Sequence, residues 1–394
     1  MKYQPGRHFL QLPGPTNVPD RILHAIANAT IDHRGPDFVA LTEACVDGLK
    51  SVFKTSGDVA IFPGSATGAW EAALVNTLSP GDLVVAFDNG QFAVQWANVA
   101  TRFGLETELL PGDWHRGADA AVLAERLSRD TGHRIRAVMA VHNETSTCVT
   151  TDIAALRKAM DAAGHPALLM VDTVSSLATM DYRHDEWGVD VTVAGSQKGL
   201  MLPPGLSFNA MSAKAIAASQ HATLPRNYWR WDGILEWNRK GFFPYTPSTN
   251  LLYGLQEALK MLLEEEGLAK VFARHQRHSE ATRRAVRGWG LQVWAADPAE
   301  YSCSATAVTM PDGFNEAEVR AIILRHFNMS LGAGLGKVAG RVFRIGHLGD
   351  FNDLMLAGTL CGVEMGLELA GVPHNQGGVA EALAYLTAQA REAE

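Results

Sequence analysis

Through roughly the first 210 residues, short apolar runs alternate with longer stretches of helical periodicity. The runs are DVAIF (58–62), DLVVAF (82–87), IRAVMAV (135–141), ALLMVD (167–172), DVTVAG (190–195) and LSFNA (206–210). Several are apolar on both faces, which suits strands covered by helices on both sides. Between them lie stretches such as TGAWEAALVNTL and DIAALRKAMDAAG, which read as helices. Strand–helix alternation of this kind argues for a mostly parallel sheet in an α/β layer fold. In such open sheets, ligands collect at the carboxyl ends of the strands, in the loops that follow.

The texture changes after about residue 250. A stretch from NLLYGLQEALKMLLEEEGLAK to ATRRAVRGWG reads as one or two long helices. SATAVTM and RVFRIG then read as strands, with the helical NEAEVRAIILRHF between them and one more helix after AGVPHNQGG. This predicts a smaller α+β domain, with a boundary near 255–275 that a long helix bridges. At 394 residues and 47% hydrophobic, the chain is long and apolar enough for two or three folding units. A net charge of −8 without a basic block argues against nucleic acid or an anionic membrane as partner. The expectation is a protein without a membrane span: no run of about 18 apolar residues occurs, and MKYQPGRHFLQLPGP lacks a signal-peptide core. Cys45, Cys148, Cys303 and Cys361 are scattered without metal-site spacing, which suits a reducing cytoplasm.

One lysine stands out. GSQKGLMLPPGL (195–206) holds Lys198 in an otherwise uncharged run, just past the strand DVTVAG. A lysine amine reacts with carbonyls only when neutral, and a dry loop lowers its pKa by desolvation. Asp172 closes the strand ALLMVD, one short step earlier, so both belong to one crevice. A lysine and a carboxylate so placed are what pyridoxal phosphate requires: the amine forms a Schiff base and the carboxylate keeps the pyridine nitrogen protonated. FPGSATGAW (62–70) follows the first long strand and opens a helix, so Ser65, Ala66 and Thr67 form a candidate phosphate site. Phe92 in DNGQFAVQW is placed to cover a flat ring, and Thr145 in VHNETSTC offers a hydroxyl at another strand end. Arg344 interrupts the apolar strand RVFRIG; a buried unpaired guanidinium is costly, so it meets either a protein partner or an anionic ligand, and its planar fork favours a ligand carboxylate. LGAGLGKVAG (331–340) reads as a flexible loop near the site, and His275 and His278 in RHQRHSE as a solvated helix face.

Together AGSQKGLMLPPGL, VDTVSS, HNETST, LPGPTNVP, PYTPSTNLLYGL and KVAGRVFRIGHLGD resemble the class V aminotransferases, from about residue 9 to about 370. The resemblance is closest to members acting on glyoxylate with serine or alanine. It implies the fold-type I architecture: a large, seven-stranded, mostly parallel domain over residues 21–260 and a smaller α+β domain over 261–394, with residues 1–20 lining the active site. It implies pyridoxal phosphate as cofactor and a homodimer with shared active sites. By the same resemblance Lys198 is the Schiff-base lysine, Gln197 a cofactor contact and Asp172 the pyridine-nitrogen partner, with Val174 packing under the ring. Ser65, Ala66 and Thr67 align with the phosphate loop. Phe92 stands where animal alanine–glyoxylate enzymes place a Trp, and Ala66-Thr67 where they have Gly-His. Thr145 matches a hydroxyl beside the ring, and Tyr245 and Thr246 a phosphate contact from the other subunit. Arg344 matches the grip on the substrate carboxylate, and Asn17 lies in the N-terminal pocket segment.

The expected reaction is transamination of a small amino acid, serine foremost, with glyoxylate as acceptor. Aspartate is the rival donor; its second carboxylate needs a second cation, for which Arg34 is the candidate. A cysteine desulfurase-like lyase is the more distant alternative. Such enzymes usually carry His where this chain has Gln197 and need a nucleophilic thiol, whereas Cys303 lies beside a strand.

Overall fold

The computed structural model describes residues 5–392. In chain order the strands are β1 (Phe9–Gln11), β2 (Asp58–Gly64), β3 (Leu83–Phe87), β4 (Glu106–Leu110) and β5 (Ile135–Val141). A short pair follows, β6 (Asn143–Glu144) and β7 (Val149–Thr150), then β8 (Leu168–Asp172), β9 (Val191–Gly195) and β10 (Gly205–Met211). The last four are β11 (Gln292–Val293), β12 (Ala305–Thr309), β13 (Met329–Ala333) and β14 (Val342–Gly346).

Seven strands form one sheet in the order β2-β10-β9-β8-β5-β3-β4. The β9-β8-β5-β3-β4 pairings are all parallel, and β10 is antiparallel to both β9 and β2. The carboxyl ends of β2, β3, β5, β8 and β9 therefore open on one side. In β8 and β9 every residue is buried. Each fully buried Leu, Val or Met there contributes about 1.5–3 kcal/mol, so helices must cover both faces. The helix Ala66–Thr77 packs on β9, β10 and β2 through a nearly continuous buried surface.

The six apolar runs are strands of this sheet. The seventh, β4, was not anticipated. It is an edge strand whose Glu106 and Glu108 face outward toward Arg134 and Arg126, so its sequence carries no apolar run.

The second sheet runs β1-β13-β14-β12-β11. It lies beside a separate apolar cluster from Ala281 to Leu386, whereas the cluster of the large sheet ends at Val271; the helix Leu268–Gly288 carries residues of both. The N-terminal segment contributes β1, which pairs in parallel with β13. Its residues 1–4 lie outside the described residues, as do 393–394.

Two expectations need correction here. The stretch 331–340 is not wholly a loop: its start belongs to β13, where Gly332 and Ala333 pair with Arg344 and Phe343. His275 and His278 are not on a solvated face. Both are buried, because the apolar side of their helix packs under the loop after β14. His275 Nδ1–H donates to the Val271 carbonyl at 2.7 Å, and its Nε2 accepts from the Gly349 N–H at 3.1 Å. His278 Nε2 pairs with Asp353 at 2.9 Å.

Burial pushes the His275 imidazole down to about 3 and His278 to about 4. Both are thus neutral in the fold and titrate near 6.5 when unfolded. Between pH 6.5 and about 4 the unfolded chain binds more protons, so stability falls as pH falls. The slope is up to about 1.4 kcal/mol per pH unit for each histidine. His275→Asn is expected to flatten the dependence of Tm on pH across that window; a slope identical to that of the wild type would contradict it.

Candidate active site

Lys198 follows β9 and Asp172 ends β8, so two neighbouring parallel strands deliver them to one rim. They line a single cavity of about 250 Å³ with Ser65, Ala66, Thr67, Trp70, Phe92, Val141, Thr145, Val174 and Gln197. Gly14 and Pro15 close it from the N-terminal segment.

That segment lies over Lys198 as a strap. The Thr16 N–H donates to the Gln197 carbonyl at 3.1 Å, and the Thr16 hydroxyl to the Lys198 carbonyl at 3.3 Å. Lys198 Nζ donates to the Pro13 carbonyl. The close approach needs glycine. Gly14 has φ +99°, and a Cβ there would sit 2.1 Å from Lys198 Cδ and 2.6 Å from Nζ. Gly346 is equally constrained, because a Cβ on it would strike the Leu12 carbonyl at 2.0 Å.

Burial pushes the Lys198 amine down to about 8, and the positive charge of Arg344 adds to the effect. The Asp172 carboxyl is pushed up to about 7 by burial, against the hydrogen bonds that favour its anion. Its Oδ1 accepts from the Val174 N–H at 2.7 Å and its Oδ2 from Trp70 Nε1–H at 2.6 Å. A cationic ligand group in the cavity would supply the counter-charge that Asp172 lacks.

Opposite, Ser65 precedes the helix Ala66–Thr77 without capping it, and Ser65 and Thr67 stand exposed at the mouth. The free N–H groups and dipole of that first turn suit an anion. Phe92 and Val174 form apolar walls. Among the described residues Gln197 Oε1 has no hydrogen-bond partner although it is buried, so a ligand donor is the natural complement. Thr145 donates its hydroxyl to Ser175 at 2.7 Å. Arg344 on β14 is buried, and its guanidinium donates to the carbonyls of Ala333 (2.8 Å) and Thr145 (2.7 Å). Among the described residues it forms no ion pair, so it retains an uncompensated positive charge beside the site. The arrangement can hold a flat aromatic ring with an anionic tail, beside a reactive amine and a carboxylate-binding guanidinium.

The cavity thus brings together Ser65, Ala66, Thr67, Phe92, Thr145, Asp172, Val174, Gln197 and Lys198, with Arg344 one backbone contact away at Thr145. It does not include four others. Asn17 bonds the Leu10 carbonyl at 3.1 Å and lines a different cavity with Arg7 and Asp350. Arg34 is exposed and lies 4.5 Å over the Trp237 ring. Tyr245 stacks on Tyr228 at 4.6 Å, and Thr246 is exposed.

Three residues of the site escaped the sequence reading, Val141 at the end of β5 among them. Trp70 reads as a helix core residue, and its only signal is its place one turn after the Ser65–Thr67 loop. Glu144 accepts from the N–H groups of Phe92 and Ala93, each at 3.0 Å, and so caps the helix that presents Phe92. An acid next to Thr145 at a strand end was its visible trace.

A sequence profile described as Aminotransferase class-V matches residues 8–339. The chain is 48% identical to serine–glyoxylate aminotransferase of Methylorubrum extorquens, with 97% of each chain covered. It is 45% identical to L-aspartate–glyoxylate aminotransferase of Paracoccus denitrificans, with 94% of each covered. Among solved structures, pyridoxamine–pyruvate aminotransferase from Mesorhizobium loti matches at a TM-score of 0.90 and 28% identity, covering 99% of this chain and 100% of that one.

The burial of Lys198 predicts amine reactivity that sets in near pH 8, about two units below an exposed lysine. Competitive labelling with an amine reagent across pH 6–11 reads this directly. Gly14→Ala is expected to displace the strap, raise the Lys198 midpoint toward 10 and increase its labelling at high pH. An unshifted midpoint in that variant would show that the strap does not govern the amine.

Proposed function

The chain belongs to the class-V aminotransferase family, and we propose that it moves an amino group from serine to glyoxylate, with pyridoxal 5'-phosphate bound at Lys198. The observation that carries this reading is the buried amine and buried carboxylate sharing one cavity with an uncapped helix N-terminus. The residues present fit the cofactor. Backbone N–H groups at Ala66 and Thr67, with the Ser65 and Thr67 hydroxyls, would hold its phosphate. Phe92 and Val174 would take the two ring faces, Asp172 the ring nitrogen, and Thr145 and the Gln197 amide would flank its remaining polar atoms. When bound, pyridoxal phosphate supplies an aldehyde that exchanges amines and a ring that accepts the electron pair of a broken Cα–H bond.

The chain's own groups do the rest. Arg344 grips the substrate α-carboxylate with its planar fork. Near neutral pH the Lys198 amine, set near 8, is neutral in an appreciable fraction, so Nζ can take the Cα proton and hold it for return. Asp172, held by Val174 and Trp70, stabilises positive charge on the ring nitrogen. The Leu12–Thr16 strap keeps water from the amine.

Serine is the preferred donor in this reading. The cavity lining carries one cation, Lys198, and Arg344 lies beside it. A second carboxylate in a closed site would therefore stay uncompensated, a cost of several kcal/mol. The relatives named for serine and for aspartate keep both donors in view. Tyr245 and Thr246 support shared sites in a homodimer: the Tyr245 hydroxyl is buried without a partner among the described residues, and neither residue lines its own chain's cavity. The four cysteines are unpaired, which supports a reducing, cytoplasmic setting. No helix among the described residues is long and apolar enough to cross a membrane.

Lys198→Ala is expected to lower kcat/KM for serine with glyoxylate by about 10³-fold or more. Asp172→Asn should lower kcat by on the order of 10²-fold. Turnover near the wild-type rate in either would remove the corresponding assignment. Serine should exceed aspartate in kcat/KM against glyoxylate by about 100-fold. Aspartate outperforming serine, with the advantage lost in Arg34→Ala, would make aspartate the donor and Arg34 its cation.

A further inference from the structure

Asp172 is buried, and its two oxygens have different partners. Oδ1 accepts from a backbone N–H that the chain's course fixes, that of Val174 at 2.7 Å. Oδ2 accepts from a side chain on another element, Trp70 Nε1–H at 2.6 Å. Trp70 sits on the second turn of the helix Ala66–Thr77 and lines the same cavity as Asp172. Its own ring is held from behind: Trp96, on the helix Gln91–Arg102, stacks on it at 5.9 Å and an interplanar angle of 13°. Both tryptophans are almost wholly buried.

We propose that Trp70 is a positioning residue for Asp172: its indole N–H fixes the direction and the charge of the carboxylate that meets the cofactor's ring nitrogen. The proposal rests on the cofactor assignment above but concerns an interaction present without the cofactor. A buried carboxylate with a single donor can rotate and takes up a proton readily. Two donors, one on each oxygen, define its plane and favour the anion. Indole suits the second role because it donates and never accepts, so it cannot stabilise the protonated acid by reversing the bond. The stack on Trp96 limits the indole to the rotamer that points Nε1 at Oδ2. The helix that opens with the phosphate loop thus also carries, one turn on, the group that orients the ring-nitrogen partner, so the two ends of the cofactor are placed by one rigid element.

The other charged groups near Asp172 are Lys198, which favours its anion, and Glu144, which opposes it. Neither is touched by a change at Trp70, so a Trp70 variant reads the indole bond. The test uses the apoenzyme and the holoenzyme side by side. In apoenzyme labelled with γ-¹³C aspartate, the Asp172 resonance is identified by its loss in Asp172→Asn. Trp70→Phe is expected to raise its titration midpoint by about one pH unit or more. Trp96→Phe, which removes the stacked ring but not the indole donor, should move it by less than half as much. In the unaltered apoenzyme, the Trp70 indole ¹H–¹⁵N signal should shift with the same midpoint as the Asp172 carbon, a readout that needs no folded variant. In the holoenzyme, Trp70→Phe should lower kcat for the serine half-reaction about tenfold or more while KM changes less than threefold. An unmoved carboxyl midpoint in Trp70→Phe, an equal shift in Trp96→Phe or a Trp70 indole signal flat across the titration would each overturn the proposal. Failure of the purified protein to bind pyridoxal phosphate would instead strike the cofactor assignment, leaving the apoenzyme titration as an independent reading.

Discussion

A lysine amine taken out of water resists its own charge, and the rest of the site follows from holding Lys198 in that condition. The sheet supplies the rim, but a rim alone would leave the amine solvated. The strap Leu12–Thr16 closes over it and bonds the Gln197 and Lys198 carbonyls. That closure depends on glycines at positions far apart in sequence. Gly14 admits the lysine stem, and Gly346 admits the Leu12 carbonyl against β14. Because β1 pairs with β13, the strap is anchored on the second sheet while it covers a residue of the first. The reactivity of one amine is thereby tied to how the two sheets sit together.

The same burial explains the charge pattern around the amine. Asp172 and Glu144 are buried carboxylates, each spread over several N–H or O–H donors rather than paired with a cation. Arg344 is the mirror case, a buried guanidinium spent on backbone carbonyls. Such groups are costly to assemble, since each is stabilised by hydrogen bonds and not by neutralisation. An amino acid and a phosphorylated ring bring the missing charges: a carboxylate for Arg344, a ring cation for Asp172 and a phosphate for the helix at Ala66. In this reading the fold holds one set of charges and the ligands complete it, which favours tight and oriented binding.

Much of this was legible in the chain. The strands β2, β3, β5, β8, β9 and β10 are buried on both faces, and only an apolar run survives that environment. Lys198 and Asp172 stood out because charge at the end of such a run is rare. The edge strand β4 stayed hidden, since half of its side chains face solvent and charge partners. β13 was masked by Gly332 and Gly334; Gly332 serves close approach to Pro13 of the strap rather than flexibility. The imidazoles of His275 and His278 were misread because their neighbours in sequence are arginines, whereas their neighbours in space are Gly349 and Asp353. Trp70 was missed for a related reason: its hydrogen bond joins positions 102 residues apart, and no local pattern announces it. Arg34, Tyr245 and Thr246 fall outside this chain's cavity.

The central claim is that Lys198 is the amine that holds the cofactor. The most direct measurement is to add pyridoxal phosphate to the purified protein, reduce with borohydride and map the fixed adduct by peptide mass spectrometry. The account predicts a yellow protein whose colour is lost on reduction, with one modified peptide per chain and the modification on Lys198. An adduct spread over exposed lysines, or fixed at another single lysine with Lys198 unmodified, would contradict it.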